Sequence, residues 1–141
     1  ANGMPLAAYV GRKECMKAIE EVVVTSTYGG EALSLAAAKA TIETYRTKHV
    51  TDHLWKMGEL MWTGTNELAE KFGVPVRVEG FWPAPAFVFS GDQPNELKNR
   101  FFRAAYRNGL SLYDNSYVNF SHQKDDIEEA LDRMERTLEE L

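Results

Sequence analysis

From Thr51 to Phe72 the apolar residues Leu54, Met57, Met61, Leu68 and Phe72 recur at helical spacing, and at Gly73 that period stops. A periodic run of this length closed by glycine is a helix with a built-in C-terminal stop. Beyond it the pattern shortens. Val74 to Val78 and Ala84 to Phe89 read as two short strands, separated by the turn-prone Gly80 and Pro83. Gly91-Asp92-Gln93-Pro94 opens a second helix with proline near its first turn. That helix carries Leu97, Phe101, Ala104 and Ala105 inward and ends at Asn108-Gly109. Two short extended pieces follow, around 110–112 and 117–121. A last helix starts near Lys124, with Ile127, Leu131, Met134, Leu138 and Leu141 in one stripe. Strand, strand, helix, strand, strand, helix predicts an α+β fold, a small antiparallel sheet with helices on one face.

The first fifty residues have a different character. Pro5 to Val10 follows an Asn-Gly turn signal and reads as a short buried strand. Lys13 to Glu21 reads as a short amphipathic helix, and Val22-Val23-Val24 as extended. A loop of hydroxyls and glycines, 25–30, empties into a helix over 31–48 with a small-residue face of Ala36, Ala37 and Ala40. His49-Val50-Thr51 breaks the run, with Thr51 as the expected N-cap of the next helix and Asp52 in its first turn. The expected division is therefore 1–50 and 51–141. The chain opens ANGMPLAAYVG, without initiator methionine or signal-peptide pattern, and reads as a piece of a longer protein.

Charge narrows the classes of partner. Sixteen basic and twenty-one acidic residues give a net charge of −5. That balance argues against a nucleic-acid partner. From Lys124 onward there are three basic and eight acidic residues, so one solvated helix face carries the whole imbalance. No apolar run approaches the roughly 18 residues of a membrane span, so no membrane partner is expected. The single cysteine, Cys15, cannot form an internal disulfide, and a reducing cytoplasm is the simplest location.

The loop Ser26-Thr27-Tyr28-Gly29-Gly30 is the best lead to chemistry. A helix start offers unpaired N–H groups and the positive end of the helix dipole, glycines admit a close anion, and hydroxyls add donors. Plain helix capping explains the same residues, and is favoured from the loop alone. Glu31, a carboxylate at that helix start, opposes an anion. His49 and His53 have the four-residue spacing of metal ligands, but no HExxH pattern accompanies them, and surface histidines at a helix end are the favoured reading. His122 is read as a loop anchor and Cys15 as a small packing residue. Trp55, Met57, Met61 and Trp62 lie on two sides of one helix, which suggests burial on more than one side. Phe81-Trp82-Pro83 reads either as a substrate-lining loop or as packing.

ANGMPLAAYVGRKECM, taken with STYGGEALSLAAAKATIE and the ending NFSHQKDDIEEALDRMERTLEEL, resembles the C-terminal part of class III aminotransferases. These are fold-type I pyridoxal-phosphate enzymes, and the glutamate-1-semialdehyde aminomutase branch is the nearest in pattern. The resemblance covers essentially the whole chain. It implies that residues 1–50 are a remnant of the large cofactor domain with a linking helix, and 51–141 the small domain. It implies pyridoxal 5'-phosphate in the parent enzyme, a homodimer, and small-molecule amino donors and acceptors. In the family the ANG-type motif directly follows the lysine that forms the Schiff base, so that lysine would precede Ala1. Lys13 and Lys39 do not match its motif. No catalytic residue is therefore expected in this chain, which alone should be inactive. The family threonine that binds the cofactor phosphate of the neighbouring subunit falls on Thr27, with Ser26 beside it. Glu31 and Ala32 depart from the family's Asn-Pro, and the stretch from Gly109 to His122 is shorter than in the aminomutases, whose loop there carries a substrate-gating Glu. The rival reading is a stand-alone α+β interaction or regulatory module.

Overall fold

In the computed structural model, residues 3–23, 27 and 29–141 are described. The chain divides into two compact units, Ala1–His49 and Val50–Leu141.

The first unit is helical. Helix α1 spans Lys13–Met16 and runs into a 3-10 turn at Lys17–Glu21. Helix α2 spans Ala32–Thr47. The expected strand at Pro5–Val10 does not form, and these residues are exposed without regular structure. A strand needs a neighbouring strand to satisfy its N–H and C=O groups, and none exists among the described residues of this unit. Val22 is extended, but joins no ladder. Val24 lies outside the described residues. Tyr9, Val10 and Val23 are well exposed, with Val23 at 92%.

The second unit holds α3 (Val50–Phe72), β1 (Val76–Phe81), β2 (Ala84–Phe89), α4 (Pro94–Arg107) and α5 (Lys124–Glu139). It is the expected α+β arrangement, with its antiparallel sheet reduced to a hairpin. β1 and β2 pair in register from Val76 opposite Phe89 to Phe81 opposite Ala84. The hairpin turn is therefore Trp82-Pro83. Gly80, expected in the turn, stays in β1 with φ of 107°, a value that L side chains rarely adopt. The two extended pieces expected at 110–112 and 117–121 form no strand; the segment between them meets the hairpin at one bridge, Ala86 to Asn115, reinforced by the Phe87 N–H on the Asp114 carbonyl at 2.9 Å. Helix α3 begins at Val50 rather than after a Thr51 cap. His49 turns the chain one residue earlier through a left-handed φ of 50°.

Two helices end as their glycines dictate. Gly73 has φ of 66° and donates to the Glu70 carbonyl while Val74 donates to Ala69. Gly109, at φ of 82°, repeats this with Tyr106 and Ala105. Both are Schellman endings, which satisfy the orphan carbonyls of the last turn.

The core lies between the hairpin and the three helices, with Val78, Phe101, Met134 and Leu138 essentially inaccessible. Each such side chain contributes about 1.5–3 kcal/mol of burial. Phe87, Phe89, Phe101 and Phe102 form an aromatic cluster with centroids 5.2–6.3 Å apart, and Trp62 meets Phe87 edge-on. The Asn66 amide bridges α3 to β1, donating Nδ2 to the Val78 carbonyl at 3.0 Å and accepting the Val78 N–H at 2.7 Å. The acidic α5 is tethered by exposed pairs, Lys71–Glu135 at 2.5 Å and Arg107–Glu140 at 2.7 Å. Such pairs are worth about 0–1 kcal/mol each. No helix among the described residues is long and apolar enough to cross a membrane.

Candidate functional site

Thr27 lies in a turn before α2 and is exposed, as are Gly29 and Gly30. Its hydroxyl is thus accessible to an external acceptor. Ser26 and Tyr28 lie outside the described residues. The start of α2 is capped by the protein's own carboxylate: Glu31 accepts the Leu33 N–H at 2.9 Å and the Ser34 N–H at 2.5 Å. The two N–H groups that would most readily greet an anion are therefore engaged.

The Glu31 carboxyl is held below its ordinary value by the Ser34 side chain, then by the Ser34 and Leu33 N–H groups. The buried Ser34 hydroxyl does not reach hydrogen-bonding geometry, so the two N–H contacts are the firm ones. A carboxyl whose folded pKa is lowered adds stability above its unfolded pKa and loses it as pH falls through the folded value. The first turn of α2 should therefore fray on acidification through and below the ordinary carboxylate range. Amide exchange at Leu33 and Ser34, followed against pH, reads this directly. Glu31→Gln should abolish the acid-dependent step; a step that persists in the variant would assign it to another group.

The remaining candidates resolve into structural roles. His53 shares its Nε2 with the His122 carbonyl at 2.8 Å and meets Phe120 edge-on at 5.2 Å. The His122 ring takes the Asn119 N–H at Nδ1, 3.3 Å away. His122 thus anchors the loop before α5. Among the described residues no group of three or more His, Cys, Asp or Glu side chains is placed to hold a metal. Cys15 is exposed rather than packed, because the short α1 buries no residue. Met57, Met61 and Trp62 are buried, whereas Trp55 is 42% exposed and meets the exposed Phe81 edge-on. Trp82 is half-buried, and its carbonyl accepts the Trp62 Nε1–H at 2.9 Å. That turn is a packing element of the unit. Asp114 pairs with Lys98 at 2.7 Å. Asn66, one of several polar residues along α3, carries no sequence signal of its strand-bridging role.

Residues 1–138 match the profile of the family described as Aminotransferase class-III. The chain is 24% identical over 138 positions to an aminopentol aminotransferase of Sphingopyxis macrogoltabida, covering 96% of this chain and 33% of that protein. It is 26% identical over 157 positions to a glutamate-1-semialdehyde 2,1-aminomutase of Ruminiclostridium cellulolyticum, covering 99% of this chain and 36% of that one. Among solved structures, the FumI protein of Sphingopyxis sp. MTA144, in its PLP internal aldimine form, superposes with a TM-score of 0.84 at 21% identity, over 93% of this chain and 32% of that one. An omega-transaminase from Sphaerobacter thermophilus superposes with a TM-score of 0.79 at 17% identity, over 92% of this chain and 34% of that one. The chain spans about a third of the length of these relatives. With residues 1–138 of its 141 inside the family profile, this chain belongs to the class-III aminotransferase family.

Proposed function

We propose that the chain is the C-terminal third of a pyridoxal-phosphate-dependent aminotransferase. Residues 1–50 belong to the large cofactor domain and its linking helix, and 51–141 form the small domain. The family match over residues 1–138 carries this reading. The parent moves an amino group between small-molecule donors and acceptors, as a cytoplasmic homodimer without nucleic-acid or membrane partners. When bound, pyridoxal phosphate supplies the electron sink for that transfer. Thr27 donates its hydroxyl to the cofactor phosphate of the neighbouring subunit, and Ser26 adds a second donor. The residues fit a phosphate in part. Thr27 is exposed, but Glu31 occupies two helix N–H groups, so the hydroxyl bears more of the contact than an uncapped helix start would leave to it.

The chain alone lacks the cofactor lysine and is inactive. Incubated with pyridoxal phosphate and reduced with borohydride, it should show scattered labelling of exposed lysines. Stoichiometric labelling of one residue, such as Lys13 or Lys39, would overturn this. A stand-alone interaction module is the second reading, favoured by the separate core of residues 50–141. The coding sequence upstream of Ala1 separates the two: a cofactor domain ending in a lysine about three residues earlier fits only the enzyme.

A further inference from the structure

Two histidines meet at the turn before α5, and acid acts on them differently. His53, on α3, donates its Nε2–H to the His122 carbonyl at 2.8 Å, and its ring meets Phe120 edge-on. The neutral Nε2–H tautomer and the imidazolium both carry that proton, so this bond survives protonation of His53. The His122 ring is placed the other way round, with donors facing both of its nitrogens. The Asn119 N–H points at Nδ1 from 3.3 Å, and Asn119 Nδ2 lies 3.2 Å from Nε2. Turning the Asn119 amide over would bring its oxygen to the ring, but that oxygen already accepts the Ser121 N–H at 2.9 Å. A neutral imidazole has one acceptor nitrogen and satisfies one of these donors in either tautomer. An imidazolium has none.

Histidine is the side chain that changes charge between about pH 5 and 8. We propose that His122 is an acid-released clasp on the end of segment 109–122. Neutral, it fastens that end through Asn119; protonated, it meets a donor at each nitrogen and lets go. The charged groups around it are few. Asp125 and Asp126 stand in the first turn of α5, and Asp126 accepts the Gln123 N–H at 2.8 Å. Asp126 also lines the same cavity as His122, so the freed imidazolium has a carboxylate to turn toward. Lys124 is paired with Glu128 at 2.8 Å, and Glu129 with Arg133. From α3 the titratable groups are His53 and its chain neighbour Asp52. Segment 109–122 walls that cavity, of about 660 Å3, against α5, so release loosens the wall at its Ser121-His122 end. The middle of the segment is pinned independently. Lys98 holds the Asp114 carboxylate at 2.7 Å, and the Ser116 hydroxyl accepts the Tyr113 N–H at 3.1 Å. The clasp does not depend on the aminotransferase reading.

The test is a pH titration of the full chain followed by NMR, in which each histidine ring reports its own midpoint. The backbone amides of Asn119, Phe120 and Ser121 should shift with the midpoint of the His122 ring, while those of 113–116 stay in place. Corrected for intrinsic exchange, protection of the Asn119 amide should fall about 2- to 10-fold on the acid side, the value of one net hydrogen bond. His122→Gln keeps an acceptor that does not titrate, and the step should vanish. His53→Gln keeps a donor to the His122 carbonyl, and the step should remain. An Asn119 amide that ignores the titration of His122, or one that follows the His53 ring, would overturn the clasp. A step that persists in His122→Gln would do the same and pass it to Asp125 or Asp126. The match of midpoints is read on the unaltered chain, so it decides the matter even where a variant fails to fold.

Discussion

Replacing Gly58 with alanine should lower the melting temperature of the second unit by roughly 10–25 °C. A Cβ at this position would sit 2.2 Å from the Trp82 carbonyl oxygen, 2.5 Å from its carbon and 3.1 Å from the Pro83 nitrogen. All three are backbone atoms of the hairpin turn, so no side-chain rotation relieves the clash, and the turn must move away from α3. The same carbonyl accepts the indole N–H of Trp62, a residue only 2% exposed. Moving the turn leaves that donor buried and unpaired. Overpacking costs about 1–3 kcal/mol and an unpaired buried donor another 1–3 kcal/mol. Alanine's helical preference over glycine returns about 1 kcal/mol. The net loss is about 1–5 kcal/mol and centres on about 3 kcal/mol, which at about 4–8 °C per kcal/mol for a domain of this size gives the shift above. Gly64, on the same helix, is the control. Its added Cβ would meet only Leu131 side-chain carbons at 2.8 and 2.9 Å. That side chain can rotate, so Gly64→Ala should stay within about 1 kcal/mol of the parent. Calorimetry of both variants decides the matter: equal melting temperatures would mean that the turn does not approach α3 this closely in solution.

Thr27→Ala should weaken cofactor binding by the full-length parent roughly 10- to 150-fold. A hydroxyl donating to a phosphate is charge-assisted and worth about 1.5–3 kcal/mol, at ~1.4 kcal/mol per tenfold. Glu31 already holds the Leu33 and Ser34 N–H groups, so few helix donors remain to compensate, and the upper half of the range is expected. Glu31→Gln removes the repelling charge and should move affinity the opposite way. Mixed dimers test the cross-subunit geometry. With Thr27→Ala on the same chain as a lysine-dead substitution, the surviving cofactor site faces the mutant loop. With Thr27→Ala on the chain that keeps its lysine, the surviving site faces an intact loop. Affinity should fall only in the first arrangement. Equal affinities would reject the cross-subunit role, and an unchanged homodimer would return the loop to simple helix capping.

The sequence determined what local chemistry determines. Gly73 and Gly109 had to end their helices, because only a residue free of Cβ strain takes the left-handed backbone that closes a helix this way. The stripe Ile127, Leu131, Met134 and Leu138 had to face a core, and Pro94 had to open α4. The family motifs were legible for the same reason, since they are runs of neighbouring residues. Tertiary structure alone decided the rest, because those outcomes depend on residues distant in sequence. Pro5–Val10 has every local mark of a strand, yet a strand exists only with a partner to bond. Gly58 looked like an ordinary helix glycine until the Trp82 carbonyl, 24 residues later, came to rest against it. Asn66 became a strand partner for Val78 only once α3 lay along β1.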